Sequence, residues 1–378
     1  MAKRFSIIQR EPLLLAGLVV VIAAFFSLTT FAAHTYHRKQ EQFARRWYQH
    51  GEEELKRSHP AAAVADFRNA LAYSRDNDLY RLRLAQALMA DNRPQEARAH
   101  LLSLWEKEPG DGTLNLELAR LAAHWGDTAQ AIRYYHAAIY GLWPEEPAQH
   151  RLQIRFELSE YLLQRNTVQD AKDAQAELVA LAAELPPQDA AGQTRLGSLL
   201  LQAGLYARAL AAFRSALSDE PNLMPALEGA GEAAFRIGEY QTARHYLQAF
   251  VAQQLKDEHS MELLDLSELV LKLDPSVHGL PSQERAHRAL HDLQRALARA
   301  QNCAPAPEPA PADKSRAALV QRATALAPSE KLLAGNPDAL EETMDLAFNL
   351  EQSAAQCGPP APEDKALALL AEQRGTTR

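Results

Sequence analysis

Cysteine is nearly missing from this sequence. Cys303 and Cys357 are the only two in 378 residues, and both fall in the last quarter. No CxxC, CxxCH or paired Cys/His spacing exists, so structural zinc and c-type haem are excluded. Glycine and β-branched residues are also sparse, which argues against a sheet protein. Charge of one sign is weak: the net charge is -8, and no long basic run follows the apolar N-terminus. That excludes the electrostatic footprint of a nucleic-acid binder. Enzyme signatures are absent as well, with no GxxxxGK[ST], GxGxxG, GxSxG or HExxH. We read the chain as non-enzymatic, with no catalytic residue, no metal and no cofactor. His287 and His291 share a helix face at i,i+4, but a third ligand is not implied nearby, so they read as solvated helix histidines.

Charge is missing altogether from Pro12 to Ala33, a run of 22 residues behind Lys3, Arg4 and Arg10. At about 1.5 Å per residue, this run can cross a hydrocarbon core of ~30 Å. It reads as a single-pass anchor. The rival is a cleaved signal peptide with Ala32 and Ala33 near the cut, but signal cores usually span only about 7–15 residues. Arg38, Lys39, Arg45 and Arg46 stand on the other side, so the positive-inside rule is close to a tie. The short charged head resembles an uncleaved bacterial signal-anchor. That implies an inner-membrane protein with its bulk outside the cytoplasm.

What is abundant is Ala, Leu, Gln, Glu and Arg, a mixture that favours helix. A small–large–small trio recurs: Ala63/Phe67/Ala70, Ala97/Leu101/Leu104, Ala131/Tyr135/Ala138, Ala209/Phe213/Ala216 and Ala243/Leu247/Phe250. The first three are 34 residues apart, as are the last two. A weaker unit reads Leu158, Leu162, Ala171 and Leu178, with Gln175 where a large apolar residue belongs. Insertions fall at Tyr140–Ala148 and Leu185–Ala190. In the first of these, Trp143 is expected to pack onto a neighbouring helix.

Trp47 and Gly51 on a leading helix, with Ala63, Phe67 and Ala70 on the next, resemble the tetratricopeptide repeat (TPR) motif. In that family Gly51 permits close helix approach, with Ala63 as the small partner facing it, and Trp47 fills the outer side of the pair. The resemblance implies an all-α right-handed superhelix of about six to seven helix pairs. The expected organisation is a basic tail at 1–11, the anchor at 12–33, a stem at 34–43 and repeats one to six at 44–257. A divergent hairpin at 258–303 follows, with the trio Ala289/Leu293/Ala296, then a Pro/Ala linker at 304–312 and a helical extension at 313–378. Within the extension, helices are expected at about 313–326, 338–356 and 364–373.

Leading helices of TPR proteins line a concave channel. By resemblance and helical phase this channel takes Tyr48, Glu52, Leu82, Gln86, Met89, Leu116, Arg120, Phe156, Glu160, Leu201, Glu232 and Phe235. It would be apolar with scattered polar groups, suited to a protein client's peptide or amphipathic helix. Tyr48 and Glu52 replace the Lys and Asn of carboxylate-clamp TPR domains, which sets that subclass aside. A membrane-held scaffold in envelope assembly or secretion is the implied role. Beside it stands a structural subunit that self-associates through its stem and C-terminal helices. The oligomeric state is left open.

Cys303 and Cys357 each end a helix and precede a Pro-rich stretch, an Asp-Lys pair and an apolar helix. This echo places both sulfurs on one edge of a stack. A Cys303–Cys357 disulfide would then close a loop of 54 residues, worth about 4 kcal/mol in the chain-entropy model. Two free thiols acting as small apolar fillers are the alternative.

Overall fold

A computed structural model of the chain describes residues 10–165, 167–253, 257–303, 315–326 and 328–376. The tail at 1–9 and the Pro/Ala linker at 304–312 lie outside the described residues. Every named element is a helix, and an isolated parallel bridge, Asp111 with Leu142, is the sole strand-like pairing among the described residues. The chain divides into two compact units, residues 1–161 and 162–378.

The first unit opens with α1 (Arg10–Lys56), followed by α2 (Pro60–Tyr73), α3 (Asp78–Ala90), α4 (Pro94–Trp105), α5 (Gly112–His124) and α6 (Thr128–Ile139). It ends within α7 (Pro147–Arg165). Turn chemistry punctuates these helices. Asn77, Asp111 and Asp127 each accept a backbone N–H of the next helix, satisfying a donor the helix cannot pair itself. Proline opens α2 and α4, where its missing N–H costs nothing. Ala63, Val64, Phe67, Leu84, Leu88, Ala97 and Leu101 fuse into one core, each at most 2% exposed.

Two expectations change at α1. The anchor, stem and first repeat helix are one uninterrupted helix, so 34–43 is no separate element. No Pro or Gly breaks the stem, and its residues are good enough helix formers to carry the turn through. Gly51 faces Phe67 rather than Ala63: a Cβ there would lie 2.8 Å from the Phe67 ring. Gly197 meets Phe213 in the same way, and Gly231 meets Leu247. In these three repeats the large member of the trio therefore sits on a glycine of its leading helix. Trp47 of α1 is 36% exposed, with about two thirds of its surface covered.

The second unit holds α8 (Val168–Glu184), α9 (Ala190–Gln202), α10 (Tyr206–Asp219), α11 (Met224–Arg236), α12 (Tyr240–Val251) and α13 (Glu258–Leu273). It continues with α14 (Ser282–Gln301), α15 (Arg316–Leu326), α16 (Glu330–Gly335), α17 (Pro337–Ser353) and α18 (Pro362–Thr376). Helix α16 is an addition to the three expected in the extension. In α8 the register differs from expectation. The buried trio is Ala174/Leu178/Leu181, all 0% exposed, three residues later than Ala171/Gln175/Leu178. Gln175 is half-buried and donates to the Ala203 carbonyl at 2.8 Å. With this register, the stretch in the repeat falls almost wholly between α6 and α8, where α7 is a longer helix of 19 residues.

The expected hairpin at 258–303 does not close. Helices α13 and α14 barely touch; α14 packs chiefly on α17, and α13 packs on α12 and α18. Helix α18 lies between the two. Lys365 Nζ is 2.7 Å from Glu262 Oε1 of α13, while Arg295 Nε of α14 donates to Asp364 Oδ1 at 2.8 Å. Ala366, Leu367, Leu370 and Ala371 bury themselves against Tyr240, Val270, Leu273 and Phe348. The C-terminal helices thus fold back onto the repeats. Cys303 and Cys357 are disulfide-bonded in the structure, with Cα atoms 5.1 Å apart, and Arg316 Nη1 is 2.9 Å from the Cys303 sulfur.

Candidate peptide-binding groove

Successive leading helices α1, α3, α5 and α7 carry the expected channel residues of the first unit. Tyr48, Leu82, Met89 and Leu116 are half-buried; the first three rest on the core with one side open. Tyr48 stacks on Tyr80 at 4.9 Å between ring centroids and tilts against Phe67 at 5.8 Å. These positions are apolar, restrained by neighbouring side chains, and partly accessible. Such sites can take apolar anchors of a peptide at low entropic cost.

The polar channel residues are not scattered. Glu52 pairs with Arg83 Nε at 3.2 Å, and Arg83 donates to Gln86 Oε1 at 2.9 Å. Gln86 Nε2 donates to Glu117 Oε1 at 2.9 Å, and Arg120 reaches the same oxygen at 3.4 Å. Arg120 then grips Glu157 through two bonds of 2.8 Å, and Tyr135 Oη donates to Glu157 Oε1 at 2.9 Å. A ladder of side chains therefore joins all four leading helices. Burial, then the Glu157 charge and hydrogen bond, push the Tyr135 phenol far up, so it stays a donor. Two parallel bonds between guanidinium and carboxylate fix both groups in one plane.

Sequence reasoning missed Arg83, Glu117, Glu157 and Tyr135 in this ladder. The signal was present: Glu52 to Arg83 and Gln86 to Glu117 are both 31 residues apart, a spacing that aligns side chains on adjacent leading helices. Phe156 is a correction in the other direction. It is only 5% exposed and belongs to the interior, not to an open channel. Glu160 is half-buried.

In the second unit, Leu201 and Glu232 are half-buried on α9 and α11, and Glu232 accepts from Arg236 one turn on at 3.2 Å. Phe235 is half-buried as well. It packs edge-on to Tyr240 at 5.5 Å and against the cluster that α18 completes. Gln373 of α18 also donates to the Gly238 carbonyl at 2.8 Å. The chain's own C-terminal helix thus packs beside Phe235. Of the histidine pair, His287 faces Glu330 at 2.7 Å, a bond that raises its pKa. Among the described residues, no cluster of three or more His, Cys, Asp or Glu is arranged to hold a metal.

Models of the tetratricopeptide repeat match residues 54–121, and again 156–225 and 194–259. No curated protein matches the chain. Solved structures of similar fold include YrrB, a TPR protein with an unusual peptide-binding site, at 17% identity and a TM-score of 0.40 over 52% of this chain and 95% of that one. PilW, a type IV pilus biogenesis factor, is 19% identical with a TM-score of 0.43, covering 59% of this chain and 99% of PilW. A TPR protein from Parabacteroides merdae is 15% identical with a TM-score of 0.41, covering 80% and 99%.

Proposed function

Starting from a chain that belongs to the tetratricopeptide repeat family, we propose a scaffold held on a bacterial inner membrane that binds a client's peptide or amphipathic helix. Protein–protein interaction is the general role of this repeat. The carrying observation for a site is the row Tyr48, Leu82, Met89 and Leu116. All four are half-buried on successive leading helices, next to a polar ladder whose charges are paired, although buried Glu52 Oε1 meets Arg83 only as an ion pair, without a hydrogen bond. A ladder of this kind offers no strong uncompensated charge. Affinity would come from apolar anchors, and the ladder would give the peptide backbone hydrogen-bonding edges.

Membrane anchoring is supported by α1, whose described apolar part has a window of mean hydropathy 2.3 with none of it buried. A soluble protein gains nothing by leaving Leu18, Phe25, Phe26 and Phe31 more than half exposed. An anchored scaffold raises the local concentration of its client near the bilayer. A place in envelope assembly or secretion, on the extracytoplasmic side, fits that arrangement.

The test is photo-crosslinking in membranes from a site placed at Met89, with Arg133 on α6 as the control site. A protein crosslinked from Met89 but not from Arg133, and lost on Leu82→Asp, supports the groove. Crosslinks only to further copies of the chain, or none above the control, would remove it.

A further inference from the structure

Within the second unit, α18 packs on α13 through Ala366, Leu367, Leu370 and Ala371. Beside the start of α18 the packing opens into a groove of about 310 Å³. Its apolar lining is Met261, Leu266 and Leu269 of α13 with Pro362 of α18. Met261 is 39% exposed, and the two leucines are half-buried. Ligand clefts run from roughly 300 to 1,000 Å³, so this one suits the side chains of a partner rather than a large cofactor.

The rim of the groove is acidic, and the pairing of its charges says what would cover it. Glu258, Glu262 and Asp265 line it, with Lys365 as its cation. Lys365 is committed to Glu262, Nζ to Oε1 at 2.7 Å. Glu258 and Asp265 have no ion-pair partner among the described residues. Glu258 sits in the first turn of α13, where the helix dipole favours a carboxylate. Asp265 has no such reason to be there. It stands in the middle of α13 and is a weak helix former. Glu262 and Glu268 lie three residues away on either side, and like charges one turn apart destabilise a helix. Glu268 accepts from Gln248 Nε2 at 3.0 Å, which brings no positive charge.

The negative potential extends to the neighbouring helix α11. Glu228 there is pushed above the usual carboxylate range, by burial first and then by Asp257 and Glu232. His259 offsets this only in part. Arg236 of the same helix is already paired with Glu232 at 3.2 Å. The charge left over around the groove is therefore negative, and its complement is a cation.

We propose that this groove takes a basic amphipathic segment of a partner protein, with apolar side chains on Met261, Leu266 and Leu269 and a Lys or Arg at each of Glu258 and Asp265. Spacing sets the pattern. Glu258 and Asp265 are two turns apart on one helix, about 10 Å at 1.5 Å per residue. A partner helix lying along α13 meets both with cations two turns apart, and the apolar residues between them face the lining. Such a ligand differs from that of the first unit, where the charges of the ladder are paired within the chain.

The experiment uses the full chain in phosphatidylcholine nanodiscs, with empty discs as the blank. The probe is a fluorescent helical peptide with Leu at i, i+3, i+4 and i+7 and Lys at the flanking positions; a second peptide has Glu in place of each Lys. Anisotropy should show binding of the Lys peptide and none of the Glu peptide. Glu258→Lys with Asp265→Lys should weaken binding about tenfold, through two lost ion pairs and the repulsion that replaces them. Met261→Ser should weaken it severalfold, a change that charge alone would not feel. Glu106→Lys with Glu108→Lys makes the same change of net charge in the first unit and should leave binding intact, as should Leu82→Asp. Equal losses from the two charge-reversed pairs would mean that only net charge is sensed, and the groove is overturned. A loss on Leu82→Asp, with Met261→Ser silent, assigns the peptide to the first unit and overturns it too. Sedimentation showing self-association that Glu258→Lys with Asp265→Lys abolishes gives the groove to a second copy and rejects the partner.

Discussion

Replacing Asp292 by Asn should flatten the pH dependence of stability in the second unit. Asp292 lies on α14, is 1% exposed, and has no hydrogen bond to either carboxylate oxygen. Its surroundings oppose ionisation. Burial is the largest cause, Asp274 and Glu363 add repulsion, and Arg288 opposes them only in part. Arg288 has other commitments: it bonds Glu284 and the Leu271 and Asp274 carbonyls at 2.8–3.1 Å. His291 Nδ1 stands 3.5 Å away, within ion-pair range only when that ring is protonated. The carboxyl is therefore pushed up to about 8.

The sign follows from which state holds the proton. Between the ordinary carboxylate range and pH 8 the folded chain keeps it and the unfolded chain has lost it, so stability falls as pH rises. One proton corresponds to about 1.4 kcal/mol per pH unit, or roughly 3 kcal/mol between pH 5 and pH 7. Below the unfolded pKa the effect vanishes, and above pH 8 it is constant. Asn carries no charge in either state and keeps the shape, so Asp292→Asn should be about 4 kcal/mol more stable than wild type at pH 7, over the roughly three pH units above the unfolded carboxylate pKa, and nearly equal at pH 4. Urea unfolding of both proteins in detergent, followed by circular dichroism at pH 4, 5, 6 and 7, reads the difference. Parallel pH profiles for the two proteins would refute the reasoning.

Three further outcomes are expected. Gly197→Ala should destabilise by about 1–3 kcal/mol despite the better helix propensity of Ala, since the new Cβ would lie 2.7 Å from the Phe213 ring; Phe213→Leu in the same chain should recover part of the loss in urea titrations. Arg120→Ala should cost about 1 kcal/mol, the site being partly exposed, and a double-mutant cycle with Glu157→Gln should show coupling, as two 2.8 Å bonds require. Non-reducing mass spectrometry should find the Cys303–Cys357 peptide pair linked, and Cys303→Ser with Cys357→Ser should cost up to about 4 kcal/mol for a loop of this length; two free thiols in protein from its native compartment would exclude the bond.

The repeats were legible because their cause is local and periodic. A small residue at Ala63 or Ala209 and a large one four places later can be buried only if a second helix crosses there. The sequence shows both positions. Gly51 and Gly197 were visible too, though it took coordinates to pair them with Phe67 and Phe213 instead of with the small residue. The fourth trio was misplaced because α8 offers Ala171, Ala174 and Ala180 at similar spacing, and only the partner surfaces choose among equivalent alanines. Of the groove, the apolar row was readable from helical phase. The ladder was readable only in part: the 31-residue spacing of two rungs stands in the sequence, but which flexible side chains meet across it depends on where the next repeat points them.

By itself, the sequence determined that the chain is helical, that it repeats, and that an apolar helix precedes the repeats. Each of these follows from composition and period, which act through neighbours a few residues apart. The tertiary structure decided that the glycines of three leading helices meet Phe67, Phe213 and Leu247. It also decided that α18 returns to part α13 from α14. These depend on contacts between residues as far apart as Gly238 and Gln373. No local pattern encodes such contacts, because the side chains that make them, Lys365, Asp364 and Gln373, are polar residues that would serve equally well in water.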